Sequence, residues 1–188
     1  EIGRVKKITG FTAIDDVVFV DQSPLGKSVR SSAVTYAQVY GDIRKLLADT
    51  HMAKIEGLSA KSFSFNVKGG RCDVCEGLGK IKEEMHFLAD VYVPCEECQG
   101  KRFKPEVLRV EWRGKNIYDI LSLTVSEALE FFKDYAAIVR KLSLLADVGL
   151  GYLTLHRPAP SLSGGESQRV RLAGQIGSGL TGVLYVLD

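Results

Sequence analysis

All four cysteines of this 188-residue chain fall into two C-x-x-C pairs, and this arrangement restricts the fold more than any other feature. The pairs are Cys72/Cys75 and Cys95/Cys98, with nineteen residues between them. Each C-x-x-C unit forms a tight knuckle that presents two thiolates, and two knuckles supply the four ligands of a tetrahedral zinc ion. Because four thiolates leave no open coordination position, the spacing predicts a structural zinc site rather than a catalytic one.

Glycines follow both cysteine pairs, at Gly77 and Gly79 after the first and at Gly100 after the second. Glycine adopts positive φ without strain, which allows backbone amides to turn toward the sulfur atoms. Two alternatives remain open, namely four ordinary buried cysteines and a redox-active dithiol. His86 is a rival ligand, but with four thiolates available we interpret it as a strand or surface residue.

The remaining composition excludes few classes of protein. The chain has no run of about eighteen apolar residues and no apolar segment at residues 1–9, so we expect neither a membrane span nor secretion, and a cytoplasmic location. The formal net charge of +2 is too small to indicate a nucleic-acid-binding protein. Between residues 68 and 104, seven basic residues are balanced by seven acidic ones. The basic residues at the outer edges of this segment could gather on one face after folding, or form an ordinary solvated surface.

Hydrophobic periodicity predicts the main elements. Residues 14–21 (IDDVVFVD) form a β-branched run that predicts a buried strand, and residues 37–49 carry apolar side chains at helical spacing. Imperfect alternation predicts a strand within 80–87, and residues 107–112 followed by Arg-Gly-Lys predict a strand and a turn.

The C-terminal half carries helix signals. Thr124 and Glu127 have the spacing of a capping box, which predicts that a helix begins there. Residues 138–148 predict a second helix, ended by Gly149 and Gly151, which can take the left-handed conformation.

The string LSGGESQR at 162–169 opens a further predicted helix. A Ser-Gly-Gly step at a helix start leaves backbone amides free and allows a phosphate to approach closely. A capped helix after a flexible loop is the alternative. The string matches the signature motif of ABC ATPases, and this resemblance implies nucleotide contacts from Ser163, Gly164, Gly165, Glu166 and Gln168.

Two further segments resemble parts of an ABC ATPase. The apolar strand 183–187 ends in Asp188, as a Walker B strand with a magnesium-binding carboxylate does, and Gln22 follows the strand 14–21 as a Q-loop glutamine would. No G-x-x-x-x-G-K-[ST] loop occurs, and the usual glutamate would be residue 189. We therefore expect the chain to be a fragment that does not hydrolyse ATP by itself.

Taken in order, five strings resemble the UvrA family across essentially the whole chain: VDQSPLGKSVRSS, FSFNVKGGRCDVCEGLG, MHFLADVYVPCEECQGKRF, DVGLGYLTL and LSGGESQRVRLAGQIGSGLTGVLYVLD. The resemblance implies an α/β fold with an α+β insertion. Residues 1–35 would belong to a partial nucleotide-binding core, and residues 36–157 to an inserted signature domain with a zinc module at 66–104. Residues 158–188 would supply the signature helix and the Walker B strand.

The resemblance also implies a function. UvrA proteins recognise damaged double-stranded DNA in nucleotide excision repair and couple this recognition to the binding and hydrolysis of ATP with Mg²⁺. The implied partners are a second ABC half or protomer, and UvrB. Lesions share altered bending and stacking rather than one chemistry, so we expect phosphate contacts without base specificity. The candidates for these contacts are Lys68, Arg71, Lys101 and Arg102.

Both the origin of the chain and its class of protein have alternatives that stay open at this point. Residues 15–157 resemble the second ABC half, whereas the tail QIGSGLTGVLYVLD resembles the first half, so a standard UvrA, a paralogue and an artificially joined sequence are all compatible. A zinc-dependent protein-interaction module, like the knuckles of DnaJ-type chaperones, is a second interpretation. An ABC protein of transport or translation is a third, although such proteins have no reason to carry four cysteines before the signature.

Overall fold

The computed structural model describes residues 6–7, 9–26, 28–84, 90–177 and 182–187, and two predicted site residues, His86 and Asp188, lie outside these ranges. Within them, eight α-helices are formed: α1 (Ala33–Tyr36), α2 (Val39–Ala48), α3 (His51–Ile55), α4 (Pro105–Leu108), α5 (Ile117–Ser122), α6 (Val125–Phe131), α7 (Ala136–Asp147) and α8 (Gly164–Ile176). Six short strands accompany them: β1 (Asp16–Val20), β2 (Lys80–Glu83), β3 (Val91–Pro94), β4 (Glu111–Trp112), β5 (Lys115–Asn116) and β6 (Val183–Leu187). None of the described helices is long and apolar enough to cross a membrane.

The strands form three separate pairs. The predicted strand at 14–21 is confirmed as β1, which pairs in parallel with β6 from Asp16 opposite Val183 to Val20 opposite Leu187. Its predicted burial is wrong except at Val20, because Val17 and Phe19 are exposed on this two-stranded sheet. The strands β2 and β3 form an antiparallel hairpin between the two cysteine pairs, and β4 and β5 form a second short hairpin.

The helix signals of the sequence are confirmed. The predicted capping box is complete, with the Thr124 side chain accepting from the Glu127 amide, and the helix predicted at LSGGESQR also begins with one, in which the Ser163 side chain accepts from the Glu166 amide. In each box the glutamate accepts in return from the backbone N–H of the N-cap residue. After α7, Gly149 takes a positive φ of 76°.

The strand predicted at 107–112 is wrong over its first half. Pro105 begins the short helix α4, and only Glu111 and Trp112 are extended. Proline fixes φ near the helical value and lacks an N–H, so it is well suited to the first position of a helix. The apolar Val107, which suggested a strand, instead belongs to this helix, and its side chain is buried.

One hydrophobic core holds the helices together. The central helix α7 contacts α2, α6 and α8, and its apolar face is buried through Ile138, Leu142 and Leu145. The cysteine-bearing segment meets this core through the buried rings of Phe65 and Phe103. The cysteines themselves form a separate buried cluster. Aromatic side chains thus contribute to the contact between the cysteine-bearing segment and the helical core.

Candidate functional site

The four cysteine side chains converge on one point. All four Sγ atoms lie within 4.8 Å of one another, with 4.0 Å between Cys72 and Cys95 and 3.6 Å between Cys75 and Cys98. Zn–S bonds of about 2.3 Å in a tetrahedron place sulfur atoms roughly 3.8 Å apart. The predicted ligand set thus has the dimensions that zinc requires, and it is supplied entirely by this chain.

The two knuckles repeat the same backbone geometry. After Cys75, residues Glu76 and Gly77 have φ of 51° and 80°, and after Cys98, residues Gln99 and Gly100 have φ of 50° and 78°. Each second cysteine accepts an equivalent hydrogen bond at its carbonyl, from the Leu78 amide at 2.9 Å and from the Lys101 amide at 2.8 Å.

The knuckles are also linked to each other. The Cys72 amide donates to the Arg102 carbonyl at 2.9 Å, and the Cys95 amide donates to the Gly79 carbonyl at 3.0 Å. The Gly79 amide points at the Cys75 sulfur, 3.2 Å away. This pseudo-twofold arrangement fixes the positions of the sulfur atoms from the backbone and favours a rigid site.

The environment of the thiols favours a bound cation. Burial raises the pKa of the Cys72 thiol and raises that of Cys98 to about 12. The Cys95 thiol is also buried, but hydrogen bonds from the Cys98 backbone and the neighbouring thiols bring its pKa below the usual value. Thiolates packed this closely repel one another, and a divalent metal that replaces their protons removes that repulsion.

Two of the four candidate DNA-contacting residues are buried within the module. The Arg102 guanidinium lies 3.7 Å from the centre of the Phe65 ring, and its Nε donates to the Gly77 carbonyl at 2.8 Å. Arg71 donates to the Asn66 carbonyl at 3.3 Å and pairs with Glu76 at 3.5 Å. Because both side chains are more than nine-tenths buried, this placement favours a role in attaching the knuckles to the core.

The other two candidates face solvent. Lys68 lies on the turn that leads into the first knuckle, and Lys101 lies immediately after the second. Both are exposed, and neither forms an ion pair with any other residue that the structure describes. These two lysines remain available to a phosphate.

Sequence reasoning missed a polar pocket next to α2. It has a volume of about 270 Å³ and is lined by Thr35, Gln38, Tyr40, Gly41, Arg44, Ser64 and Asn66. The Nε atom of Arg44 is buried without a hydrogen-bond acceptor among the described residues. The guanidinium group lies 4.9 Å from the centre of the Tyr40 ring. No signal in the sequence marks this position, because a charged residue between apolar helix positions is an ordinary surface pattern.

The signature segment begins α8 with two free amides. The first intrahelical bond in this turn runs from the Ser167 amide to the Ser163 carbonyl, so Gly164 and Gly165 present N–H groups without an intrahelical partner. Glu166 is 7% exposed and accepts from the Tyr152 hydroxyl at 2.8 Å in addition to its capping bond. Its placement favours structural support of this turn, whereas the two glycine amides have no acceptor within the described ranges and could bind an anion.

The same helix holds the loop that carries Gln22. Gln168 donates to the Val20 carbonyl at 2.9 Å, and Arg171 donates to the backbone and side chains of both Asp21 and Ser23. Gly164 lies so close to Gln22 that an added β-carbon would be 3.2 Å from the Gln22 Oε1 atom. The predicted Q-loop residue and the predicted signature residues are therefore adjacent.

We expect the substitution Ser163→Ala to lower the free energy of unfolding by about 1 kcal/mol, because it removes the cap of α8. Hydrogen bonding by the Ser163 amide holds the pKa of Glu166 below its ordinary value of 4.5. A lowered pKa stabilises the folded state above 4.5, and that contribution is lost as the pH falls through the folded value. Denaturant unfolding at several pH values measures both effects.

The matched controls for this prediction are Ser126→Ala, an exposed serine in α6, and Glu166→Gln. The first should leave stability unchanged, and the second should reduce the acid dependence of unfolding. An unfolding free energy for Ser163→Ala equal to that of the wild type would contradict the capping role.

Four clustered thiols, together with a capped Ser-Gly-Gly helix beside a glutamine loop, are features of an ABC-type protein with a possible metal site. No family model matches the chain. Curated relatives do, among them UvrABC system protein A of Aquifex aeolicus, which is 53% identical over 100% of this chain and 20% of its own length. The protein of the same name from Bacillus subtilis is 53% identical over 99% of this chain and 20% of its own length.

A solved structure gives the same result. The crystal structure of UvrA2 from Deinococcus radiodurans superposes with a TM-score of 0.88 at 52% identity, covering 94% of this chain and 22% of that one. The chain is thus related to UvrA along its whole length, and it spans about a fifth of the length of the curated relatives it matches.

Proposed function

We propose that this chain is the part of a UvrA protein that contacts damaged double-stranded DNA, in a protein that couples damage recognition in nucleotide excision repair to ATP binding and hydrolysis. The observation that carries the proposal is the identity of 53% to UvrABC system protein A over the full chain. A four-thiolate zinc site would hold the contacting module in shape, and it would take no part in chemistry.

The DNA-contacting surface would combine the two exposed lysines with the polar pocket. Lys68 follows Asn66, which lines that pocket, by two residues. The Arg44 guanidinium, whose Nε has no acceptor among the described residues, lies among hydroxyl and amide groups and suits a backbone phosphate. Contacts of this kind read the shape and deformability of the duplex, and damage alters both.

The nucleotide would be shared with another part of the protein. In ABC pairs, ATP and Mg²⁺ lie between the phosphate loop of one half and the signature of the other, so Ser163, Gly164 and Gly165 would face nucleotide bound by a second half or protomer. Gln22 and Asp188 would serve the metal and the attacking water on their own side. ATPase activity would then belong to the intact, cytoplasmic protein, with UvrB as a further partner, and this chain alone would be inactive.

Fluorescence anisotropy with a lesion-bearing duplex and its undamaged counterpart tests the proposal. We expect the zinc-loaded chain to bind the damaged duplex more tightly, with an affinity that falls as salt rises. Lys68→Ala and Lys101→Ala should each weaken binding to both duplexes, and each should reduce the slope of log affinity against log salt by about 1, the effect of one lost phosphate contact.

Lys133→Ala is the matched control. Lys133 lies outside the cysteine-bearing segment, is exposed, and pairs with Glu130 at 2.9 Å. It should leave affinity and salt slope unchanged. Equal binding of the two duplexes would show that this chain does not recognise lesions. Unchanged salt slopes in both lysine variants would show that the lysines do not contact phosphates.

A further inference from the structure

We propose that the zinc module carries a second binding surface, a groove that takes a basic amphipathic segment of a protein. The groove lies between the first knuckle, the β2–β3 hairpin and the second knuckle, and has a volume of about 670 Å³. It is lined by Val74, Ile81, Glu83, Val93, Pro94, Glu96 and Glu97. The proposal rests on the geometry of this surface and does not require the module to bind DNA.

The hairpin separates two kinds of side chain. Ile81 and Val93 are cross-strand partners and both line the groove. Lys82 and Tyr92 are the next pair in the register, and side chains one position apart point to opposite faces of a strand. The Lys80 ammonium lies 4.5 Å from the centre of the Tyr92 ring, on that opposite face. The hairpin therefore has one face with lysine and tyrosine side chains and an opposite face with Ile81, Glu83 and Val93.

Outside the groove, carboxylates of the module form ion pairs with basic side chains. Asp73 pairs with Lys104 at 2.7 Å, Glu76 pairs with Arg30 at 3.0 Å, and Lys82 forms ion pairs with both Glu84 and Asp90.

The three groove glutamates have no such partner. Glu83, Glu96 and Glu97 are exposed, and none of them forms an ion pair within the described ranges. The groove thus carries uncompensated negative charge, which repels phosphates and attracts a cationic partner.

The floor of the groove is apolar and accessible. Val74 is 59% exposed and Ile81 is 37% exposed. Removing such apolar side chains from water is favourable, so a partner that covers them would be bound more tightly. A segment with lysine or arginine on one side and leucine-like side chains on the other would pair with the carboxylates and cover this floor. A purely basic segment would satisfy only the first requirement, and a DNA backbone would satisfy neither.

The test uses a synthetic helical peptide of about four turns with leucine and lysine on opposite faces. Two control peptides carry serine in place of leucine and glutamate in place of lysine. The zinc-loaded chain is titrated with each peptide by calorimetry and by amide chemical-shift mapping. We expect only the first peptide to bind, with the shifts centred on Val74, Ile81 and Val93.

Charge-neutralised variants locate the site. The triple variant Glu83→Gln, Glu96→Gln, Glu97→Gln should lose about tenfold in peptide affinity, since three attractive charges are removed. The matched control is the triple variant Glu106→Gln, Glu111→Gln, Glu130→Gln, which removes the same charge elsewhere and should bind as the wild type does. Val74→Ser, which keeps the charge, should also weaken binding. Zinc content is measured for every variant to establish that the module is folded.

Three results would overturn the proposal: shifts outside the groove, equal binding of the serine-containing peptide, or undiminished affinity of the groove variant. The same variants are titrated with the lesion-bearing duplex. An unchanged or higher DNA affinity of the groove variant supports separate surfaces, whereas a lower one would assign the groove to DNA and overturn the proposal. Failure of DNA binding by the wild-type chain would count against the proposed function alone.

Discussion

Replacement of Cys75 by serine is expected to abolish stoichiometric zinc binding and to unfold residues 66–104 while the helical core persists. The cysteines form a buried cluster of their own, and the module contains only the short hairpin β2–β3 as regular structure among its described residues. A segment with so little core depends on metal, and structural zinc contributes about 10–16 kcal/mol of binding free energy in small domains. Removal of zinc with a chelator should give the same result.

Metal analysis and hydrogen exchange measure this outcome. Amides at the knuckle bonds, such as Cys72 to Arg102 and Cys95 to Gly79, should lose protection, while amides of α7 should keep it. Asp73→Asn is the matched control, because Asp73 lies beside Cys72 but is exposed and pairs only with Lys104. Retention of knuckle protection in the Cys75 variant or after chelation would show that the module does not need metal.

The substitution Phe65→Ala is expected to lower the free energy of unfolding by about 3–5 kcal/mol, the usual loss when a buried phenyl ring is removed. The ring is 1% exposed and stacks on Tyr40 with 5.0 Å between centroids. It also lies under the Arg102 guanidinium, whose Nε bonds to the first knuckle. Loss of the ring therefore removes core packing and the support of a buried cation together.

Denaturant unfolding gives the magnitude, and zinc affinity shows whether the module is affected. Phe131→Ala is a matched control, since Phe131 is only partly buried and belongs to the aromatic cluster around Trp112. It should cost less stability and leave zinc affinity unchanged. Equal effects of the two variants on zinc affinity would exclude Phe65 as the connection between module and core.

Local signals allowed much of this structure to be predicted. The cysteine spacing predicted a ligand set whose sulfur atoms lie within 4.8 Å of one another. The capping boxes at Thr124 and Ser163 gave two helix starts correctly, because a cap is a contact between residues three apart. The β-branched run at 14–21 gave β1, although its parallel partner β6 is more than 160 residues away.

Sequence patterns were least informative where distant contacts decide the outcome. Val107 suggested a strand, but Pro105 and burial against the core placed it in a helix. The basic edges of the zinc module suggested four phosphate contacts, yet the structure buries Arg71 and Arg102 in contacts with Glu76, Asn66, Gly77 and Phe65.

The sequence by itself predicted the cluster of four cysteines, the helix cap at Thr124 and the similarity to UvrA, since each is encoded by residue types at short, fixed spacings. Only the tertiary structure decided which charges are exposed. Burial and ion pairing depend on residues brought together from distant parts of the chain, as with Arg44 beside Ser64 and Asn66. The same reason explains why the two faces of the β2–β3 hairpin, one with Lys80 and Tyr92 and the other with Ile81 and Val93, become visible only after the strands have paired.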